Sequence, residues 1–395
     1  MPDISAPPES TYAASGVDVE SGDRAVELMK AAVQRTHGPQ VIGGIGGFAG
    51  LFDASALREL SRPLLATSTD GVGTKVAIAR ALDSHDTIGF DLVGMVVDDI
   101  VVSGARPLFM TDYIACGQVV PERIAAIVAG IAEACAVAGC ALVGGETAEH
   151  PGLMEPDEYD LAGAATGVVD ADALLGPHRV RPGDAVLALT SSGLHSNGYS
   201  LVRHVLATSG WALDRQVAEL GRTIGAELLT PTRVYAADIV ALTGALGPEL
   251  HAVSHVTGGG LAANLARVLP RGVTAVLERG TWRPQPVFGL LAELGRVPRA
   301  ELERTFNLGV GMVLVVSAEA ADRALSLLSE RGVPGWVLGE VLADHPDVPV
   351  PAAGPDAPTG PGAPTGPGPG DGVEAVRGTK GVDGGAVRLV GNHPG

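Results

Sequence analysis

Apolar and polar residues follow two periods along the first half of the chain, and these periods predict interleaved helices and strands. Helices are predicted over 24–35, 87–104 and 121–138, and strands over 63–68, 108–116, 140–143 and 162–169. Glycine turns follow several of these segments. The alternation is typical of an α/β domain, which we expect to end near Gly176.

A turn at 181–184 opens a second series of the same kind. It leads into an apolar strand over 185–190. The pattern then predicts helices over 196–205, 261–269 and 318–329, and strands over 252–255, 311–316 and 336–340. We therefore expect a second α/β domain, so that the fold class is α/β (α+β) in two domains.

The C-terminal end of the chain differs in composition from both predicted domains. From Pro346 onward, proline and glycine interrupt every apolar period, which is typical of a solvated linker. The predicted organisation is a flexible leader over 1–15, an N-terminal domain over 16–176, a C-terminal domain over 177–345 and a disordered tail over 346–395. A docking segment for a partner is the alternative for the tail. Deleting the tail is expected to leave activity unchanged.

Composition excludes several classes of protein. The chain has 395 residues, of which 46% are hydrophobic and 18% charged, so it has ample apolar material for packed cores. The formal net charge is −18 and Lys and Arg are not clustered, which argues against nucleic-acid binding. No apolar run reaches the roughly 18 residues of a membrane span, and no signal peptide precedes the domains. We therefore expect a cytoplasmic protein without a membrane partner.

The three cysteines are predicted to be small core residues. Cys116, Cys135 and Cys140 lack CxxC spacing and a matching histidine pair. Neither a disulfide framework nor a zinc site is indicated.

The segment 70–75 carries the side chains expected at a metal-bound phosphate. It contains Asp70, Gly71, Gly73, Thr74 and Lys75 at the end of a predicted strand. Glycine lets backbone N–H groups approach phosphate oxygens, aspartate can hold Mg²⁺, and lysine can offset phosphate charge. The spacing is not that of a Walker A loop. An ordinary turn is the alternative.

Two other glycine segments are candidate phosphate contacts. The first precedes Phe48 and contains Gly43, Gly44, Gly46 and Gly47. Its glycine density suits a mobile lid, and a flexible surface loop is the alternative. The second segment follows the predicted strand over 140–143 and contains Gly144, Gly145 and Thr147.

Carboxylates in an apolar setting form a candidate Mg²⁺ site. Asp91, Asp98 and Asp99 lie within the predicted helix over 87–104, and Glu146 lies in the second glycine segment. Hard cations take oxygen ligands, and unpaired carboxylates are costly among apolar neighbours. The competing interpretation is a solvated acidic face of the helix.

Two polar segments at predicted helix starts are candidate substrate contacts. The first includes Ser192, His195, Ser196 and Asn197, a density of polar groups that exceeds what helix capping requires. The second contains His255, Thr257, Gly258, Gly259 and Gly260. Helix starts favour anions, so both segments could hold a phosphate or an amide. His195 is the candidate proton carrier, because an ordinary imidazole titrates near pH 6.5.

The order of these motifs resembles that of the phosphoribosylformylglycinamidine cyclo-ligase family. The matching segments are DGVGTK at 70–75, HDTIGFDLVGM at 85–95, LVGGETAE at 142–149, SSGLHSNGYSLVR at 191–203, PTRVY at 231–235, HVTGGGL at 255–261 and FNLGVGM at 306–312. Each motif is modest alone, but seven in the family's order are highly specific. The resemblance extends from about residue 12 to residue 340.

The resemblance implies a fold, a reaction and partners. It implies a homodimer of two-domain subunits in which the N-terminal domains pair their sheets. It also implies that the N-terminal domain binds ATP and that the nucleotide lies in the cleft between domains. The implied reaction is ATP-dependent ring closure of formylglycinamidine ribonucleotide to 5-aminoimidazole ribonucleotide, with Mg²⁺ as cofactor. Asp98 departs from the family, which often carries asparagine there, and the added charge could alter metal binding.

The implied reaction gives the candidate residues their expected roles. Lys75 is expected to meet phosphate oxygens, and Asp70 is the first choice of metal ligand. Lys75, His195 and His255 could exchange roles within a shared phosphate site. The alternatives are the longer synthetase that produces the substrate, kinases of the same superfamily, and a nucleotide-sensing protein without turnover.

Overall fold

The structure is a computed structural model that describes residues 18–344, 375–377 and 384–394. The predicted leader over 1–15 and most of the predicted tail lie outside these residues. Within the described part of the chain, no helix is both long enough and apolar enough to cross a membrane.

A four-stranded sheet organises the first half of the chain. The elements are α1 (Val19–Gln34), β1 (Val41–Ile42), β2 (Leu51–Phe52), β3 (Pro63–Gly71), α2 (Val76–Leu82), α3 (Ile88–Val101), β4 (Arg106–Cys116), α4 (Pro121–Ala138), β5 (Ala141–Glu149) and β6 (Tyr159–Asp170). The strand order is β3-β6-β4-β5, and only the β4–β5 pair is parallel. The helix α4 makes the crossover that a parallel pair requires.

The helix α3 anchors this sheet to the core. Its apolar run buries nearly every residue, including Leu92, Val93 and Val96, and it packs against β3, β6 and α4. Such burial on all sides explains why the run carries so few polar residues.

The opposite face of the sheet is open to solvent. Along β6, the odd-numbered residues from Tyr159 to Ala165 are buried, while Asp160, Ala162 and Ala164 are exposed. Leu65 on β3 is 65% exposed and Tyr113 on β4 is 42% exposed. The sheet therefore has one helix-covered face and one partly apolar uncovered face.

A seven-stranded sheet organises the second half. The elements are β7 (Ala185–Thr190), α5 (Tyr199–Ser209), β8 (Gln216–Val217), β9 (Arg222–Thr223), α6 (Ile224–Leu228), α7 (Ala236–Leu246), β10 (Leu250–His255), α8 (Gly260–Ala266), β11 (Val273–Glu278), α9 (Pro286–Gly295), α10 (Arg299–Thr305), β12 (Val310–Val316), α11 (Ala321–Glu330), β13 (Gly335–Ala343), β14 (Ala375–Arg377) and β15 (Ala386–Val390). The strand order is β10-β12-β7-β13-β11-β15-β14.

The described part of the predicted tail is not disordered. The strand β15 pairs in parallel with β11, and Ala386 and Val387 have no exposed surface. The strand β14 pairs with β15 in antiparallel fashion. The prediction is therefore wrong for 375–377 and 384–394, because β11 offers an edge that a short apolar strand can complete.

The glycine pair Gly144–Gly145 also differs from its prediction. The sequence predicts a strand that ends at Val143, but β5 continues through both glycines to Glu149. Pairing with β4 holds this segment extended, since glycine itself imposes no turn.

Candidate functional site

The loop after β3 joins the two domains. The hydroxyl of Ser196 donates to the carbonyl oxygen of Val72 at 3.0 Å, and the hydroxyls of Thr74 and Ser200 lie 3.2 Å apart. Gly73 has φ of +71°, a left-handed conformation that favours glycine. The predicted phosphate loop of the first domain therefore lies against the predicted substrate loop of the second.

Lys75 does not face an open phosphate site. Its ammonium group donates to Asp91 at 2.6 Å, to the carbonyl oxygen of His195 at 3.0 Å and to that of Thr230 at 2.7 Å. An ammonium group has three N–H donors, so all are used. Burial lowers the pKa of Lys75, whereas the attraction of Asp91 opposes that shift. The predicted contact between Lys75 and phosphate is not supported by this geometry.

Asp91 is likewise committed to protein partners. One carboxylate oxygen accepts hydrogen bonds from Lys75 and from both the amide and the hydroxyl of Thr232, and the other oxygen is buried without a hydrogen-bond partner among the described residues. Burial raises the pKa of Asp91, while Lys75 and Thr232 oppose that shift. The side chain is fully buried, so its predicted role as a metal ligand is not supported.

Asp98 also binds protein groups rather than facing an open site. Both of its carboxylate oxygens accept from the backbone amide of Tyr235, at 3.0 and 3.1 Å. Burial raises the pKa of Asp98 to about 7, although the nearby His255 opposes the shift. The side chain has no exposed surface and accepts hydrogen bonds at the start of α7, so its predicted role as a metal ligand is not supported.

The predicted acidic cluster does not assemble within one chain. The structure pairs Asp70 with Gly163, Gly163 with Asp112, and Asp112 with Gly145, so these four residues form a row across the sheet. Three strand spacings separate the ends of this row by roughly 14 Å. Asp70 and Glu146 therefore lie near opposite edges. Among the described residues, no group of three or more His, Cys, Asp or Glu side chains could hold a metal ion.

His255 forms a pair with Asp99 across the domain boundary. Its Nδ1 atom lies 2.9 Å from a carboxylate oxygen of Asp99. Burial lowers the pKa of His255, but the hydrogen bond to Asp99 and the charges of Asp98, Asp99 and Asp70 outweigh it, so the net shift is upward. The Nε2 atom is buried and has no hydrogen-bond partner among the described residues. This imidazole therefore has one nitrogen anchored and one available for chemistry.

His195 also has one ring nitrogen held and one, the buried Nδ1 atom, without a hydrogen-bond partner among the described residues, but its electrostatic environment differs. Its Nε2 atom accepts from the amide of Ser192 at 3.2 Å, and its ring lies beside that of Tyr235. The residue adopts φ of +61° and is 1% exposed. Burial holds its pKa well below the ordinary value, with positive neighbours adding to the effect. A lowered pKa favours the neutral imidazole and makes it a weaker proton acceptor, which does not favour the predicted proton-carrying role.

The remaining predicted substrate contacts lie in the second domain, and one of them, Asn197, contacts the first domain. The hydroxyl of Ser192 donates to the carbonyl oxygen of Pro231, and the side-chain amide nitrogen of Asn197 lies 3.3 Å from the sulfur of Met95. The side chains of Thr257 and Asn264 lie 3.4 Å apart.

The triple-glycine turn is tightly packed. A Cβ on Gly260 would lie 1.8 Å from the carbonyl oxygen of Glu303, and one on Gly258 would lie 3.3 Å from the side-chain oxygen of Asn197. Gly259 and Gly260 both have left-handed φ values. Only glycine fits at position 260, where backbone segments approach this closely.

A cavity of about 800 Å³ lies between α1, β5 and the first glycine segment. Several predicted ATP contacts line it, namely Gly44, Gly46, Gly47, Gly144, Gly145 and Thr147, together with Glu146. Gly43 adjoins the same segment with φ of +90°, whereas Gly71, Gly73 and Thr74 belong to the domain boundary. The volume is in the range of small-molecule sites.

Sequence reasoning missed Asp112, which also lines this cavity. It is 8% exposed on β4, and burial raises the pKa of its carboxyl to about 7. A Cβ on Gly145 would lie 2.3 Å from a carboxylate oxygen of Asp112. A signal was present, because a carboxylate stands at a core-facing position of the apolar strand 108–116.

Two family models match the chain. The one described as AIR synthase related protein, N-terminal domain, matches residues 52–169. The one described as AIR synthase related protein, C-terminal domain, matches residues 181–350. Together these ranges cover more than half of the chain.

Solved structures share the fold at low identity. Thiamine-monophosphate kinase from Stenotrophomonas maltophilia K279a is 19% identical with a TM-score of 0.60, covering 81% of this chain and 94% of that chain. The hydrogenase maturation protein HypE from E. coli is 19% identical with a TM-score of 0.57, covering 80% and 90%. These likenesses, with the matched domains, confirm the predicted α/β two-domain fold.

Curated proteins match at much higher identity. Phosphoribosylformylglycinamidine cyclo-ligase from Geobacillus kaustophilus (strain HTA426) is 50% identical over 331 residues, covering 84% of this chain and 95% of that protein. The cyclo-ligase from Sorangium cellulosum (strain So ce56) is 50% identical over 334 residues, with the same coverage. With both domains matched and the boundary motifs in contact, the chain belongs to the phosphoribosylformylglycinamidine cyclo-ligase family.

Proposed function

We propose that this chain closes the imidazole ring of 5-aminoimidazole ribonucleotide from formylglycinamidine ribonucleotide, using one ATP and releasing ADP and phosphate. The observation that carries the proposal is the meeting of family motifs from both domains, where Ser196 contacts Val72 and Lys75 binds the carbonyl oxygen of His195. The 50% identity to named cyclo-ligases supports the same reaction. We place it in the cytoplasm, where its nucleotide substrates are available.

The chemistry explains why ATP is needed. An amidine nitrogen must attack a formamide carbon, which amide resonance and a poor oxygen leaving group make slow. Phosphorylation of the formyl oxygen makes the carbon electrophilic and lets the oxygen depart as phosphate. The protein holds the two ends of one molecule together, which can supply roughly 7–11 kcal/mol in well-oriented cases.

The cavity under the first glycine segment is the proposed ATP site. Glycines 44, 46, 47, 144 and 145 line it without side chains that would crowd a ligand, and glycine lets backbone N–H groups approach phosphate oxygens. The cavity also has apolar walls from Met29, Val33 and Leu142, which suit a nucleobase. ATP supplies the transferred phosphoryl group.

Asp70 is the proposed protein ligand for Mg²⁺. Mg²⁺ is usually held by one or two carboxylates together with substrate phosphates and water, so a three-carboxylate cluster is not required. Asp70 is exposed at the end of β3, and one of its oxygens accepts from the adjacent amide of Gly71. Bound there, the ion would offset phosphate charge. Glu146 is exposed at the far edge of the same sheet and is the second choice.

His255 replaces His195 as the proposed proton carrier. Its Nδ1 atom is fixed by Asp99, which leaves the buried Nε2 atom to accept or donate a proton at the reacting amidine. His195 instead supports the loop, through the bond from Ser192 to its ring and the bond from Lys75 to its carbonyl oxygen. Ser192, Ser196, Asn197 and the turn 258–260 are the proposed ribose-phosphate contacts.

A homodimer is the proposed assembly. The open face of the N-terminal sheet carries exposed Leu65, Ala162, Ala164 and Tyr113, which a second sheet would cover. Pairing two such sheets would remove this partly apolar surface from water. It would also bring the edges of two chains close together, so that Asp70 and Glu146 of different chains could serve one nucleotide.

The test is formation of 5-aminoimidazole ribonucleotide by the purified protein from formylglycinamidine ribonucleotide and Mg-ATP, with ADP counted in the same tube. One ADP per ring closed is expected. ATP binding without ring closure would overturn the proposal in favour of another substrate or a sensor.

Asp70→Asn should weaken the use of Mg-ATP severely, and unchanged turnover at low Mg²⁺ would remove Asp70 from the metal site.

A further inference from the structure

We propose that the C-terminal segment 384–394 positions the two substrate loops of the second domain for ring closure. The inference rests on the proposed function and adds a part of the chain that the matched family model, which ends at residue 350, does not include. The substrate loops are defined here as 191–198 and 257–260.

The segment is built into the domain rather than laid on its surface. A Cβ on Gly384 would lie 2.1 Å from the carbonyl oxygen of Ala266, and the amide of Gly385 donates to Leu269 at 2.9 Å. Ala266 ends α8, the helix that begins at Gly260 in the triple-glycine turn. The segment therefore contacts the far end of the helix whose first residue lies in a substrate loop.

Arg279 links the segment to α10. It donates to the carbonyl oxygen of Leu389 at 2.7 Å and to both carboxylate oxygens of Glu303, at 2.8 and 2.9 Å. The side chains of Arg279 and Glu303 are only 12% and 17% exposed, so this two-point contact is shielded from water. Arg299 adds a parallel link from Glu303 to the side chain of Asn392 at 2.8 Å.

Trp282 forms a second link. The imidazole of His393 meets its ring edge-on, with the centroids 4.4 Å apart. The indole N–H of Trp282 donates to the carbonyl oxygen of Leu308 at 2.9 Å. His393 therefore packs against Trp282, and Trp282 is hydrogen-bonded to the segment that follows α10.

The segment 303–309 contacts both substrate loops. A Cβ on Gly260 would lie only 1.8 Å from the carbonyl oxygen of Glu303. The side-chain amide of Asn307 donates to the carbonyl oxygen of Gly193 at 2.8 Å, and its oxygen accepts from the hydroxyl of Ser191 at 3.2 Å. Residues 303–309 are therefore the part through which a shift of the C-terminal segment would reach both loops.

The contacts made by side chains of the segment itself supply the test. The variant Asn392→Ala/His393→Ala removes one link to Arg299 and the ring contact with Trp282, while β15 keeps its backbone pairing. His393→Phe retains an aromatic ring against Trp282 and serves as the rescue. Val376→Ala on the neighbouring β14 is the control, because Val376 is 36% exposed and contacts neither link.

Steady-state kinetics separate positioning from stability. The double variant should lower kcat/KM for formylglycinamidine ribonucleotide by roughly ten-fold or more, since small misplacements of a reacting pair are costly in rate. The KM for ATP should stay unchanged, because the proposed ATP cavity lies in the other domain. His393→Phe in place of alanine should restore part of the loss, and Val376→Ala should behave as wild type.

Hydrogen exchange gives an independent readout that does not need turnover. Amides at 191–198 and 257–260 should exchange faster in the double variant and at the wild-type rate in Val376→Ala. Unchanged exchange, or unchanged kcat/KM in an enzyme that closes the ring, would overturn the positioning role. An inactive wild type with variant-dependent exchange would instead count against the proposed function alone.

Discussion

The ammonium group of Lys75 lies 2.6 Å from a carboxylate oxygen of Asp91, and neither side chain has any exposed surface. The same ammonium group binds the carbonyl oxygens of His195 and Thr230 in the second domain. This buried pair is therefore a link between the domains. Removing one partner would leave a charge uncompensated in the core.

Lys75→Met should lower the free energy of unfolding by roughly 3–5 kcal/mol, because Asp91 would lose its counter-charge. Urea denaturation measures the change, and Lys30→Met in the exposed pair with Glu27 is the control. Asp91→Asn added to Lys75→Met should recover part of the loss. Loss of turnover without loss of stability would instead support the predicted contact between Lys75 and phosphate.

His255→Gln should lower kcat by roughly 10²- to 10⁴-fold and remove one limb of the pH–rate profile. The raised pKa of His255 keeps it protonated to higher pH than an ordinary histidine, so activity that needs this acid falls as pH rises through that pKa. His195→Gln is the matched variant. It should retain the limb, because burial keeps His195 neutral. A profile without the limb in His195→Gln, and with it in His255→Gln, would reverse the assignment.

Gly145→Ala should raise the KM for ATP, since the added methyl group would lie 2.3 Å from a carboxylate oxygen of Asp112 and displace it within the cavity. Equilibrium binding of ATP checks the effect directly. Gly244→Ala is the control, because no atom beyond its own helix backbone and chain neighbours lies within 4 Å of its Cβ position in α7. Equal ATP affinity in the two variants would place the nucleotide elsewhere.

Asp112→Asn should make the stability of the protein less sensitive to pH. Burial raises the pKa of Asp112 from 3.8 to about 7. The folded state therefore holds a proton that the unfolded state loses, and stability falls as pH rises toward 7. A tenfold difference in proton affinity between the two states corresponds to about 1.4 kcal/mol of stability. Asp98 shifts in the same direction, so the variant should remove only part of the slope.

Urea denaturation at pH 5 and pH 8 measures that slope. Asp160→Asn, at an exposed position on the neighbouring strand β6, is the control. If Asp112→Asn and wild type lose equal stability between the two pH values, the carboxyl is not held protonated by burial.

Sequence patterns predict the central elements well. The helix α4 and the strand β7 have the predicted bounds, because apolar periodicity and flanking Pro121 and Ser191 mark their ends. The strand β11 and the helices α7, α9 and α10 are absent from the prediction. The strand β15 falls in the predicted disordered tail, since its few apolar residues stand among glycines and only pairing with β11 stabilises them.

The candidate site shows the same division between local and distant information. Glycines at 44, 46, 47, 144 and 145 can be selected from sequence, and they line one cavity. Lys75 and Asp91 are predicted to bind ligands, but their partners lie up to 155 and 141 positions away in the chain. Asp112 could be found in the sequence as a carboxylate within an apolar strand, but its position beside Gly145 depends on pairing with another strand.

The sequence by itself determined the two α/β domains, the family and the chemistry its motifs carry, because those depend on residue type, spacing and order. Tertiary structure decided which charged groups are available to bind ligands. Asp91 and Asp98 are fully buried and accept hydrogen bonds from Thr232 and Tyr235, whereas Asp70 and Glu146 are exposed. Tertiary structure also placed the segment 384–394 in contact with Arg279, which binds Glu303 of α10. The reason is that burial and pairing arise between segments far apart in the chain, where local patterns carry no signal.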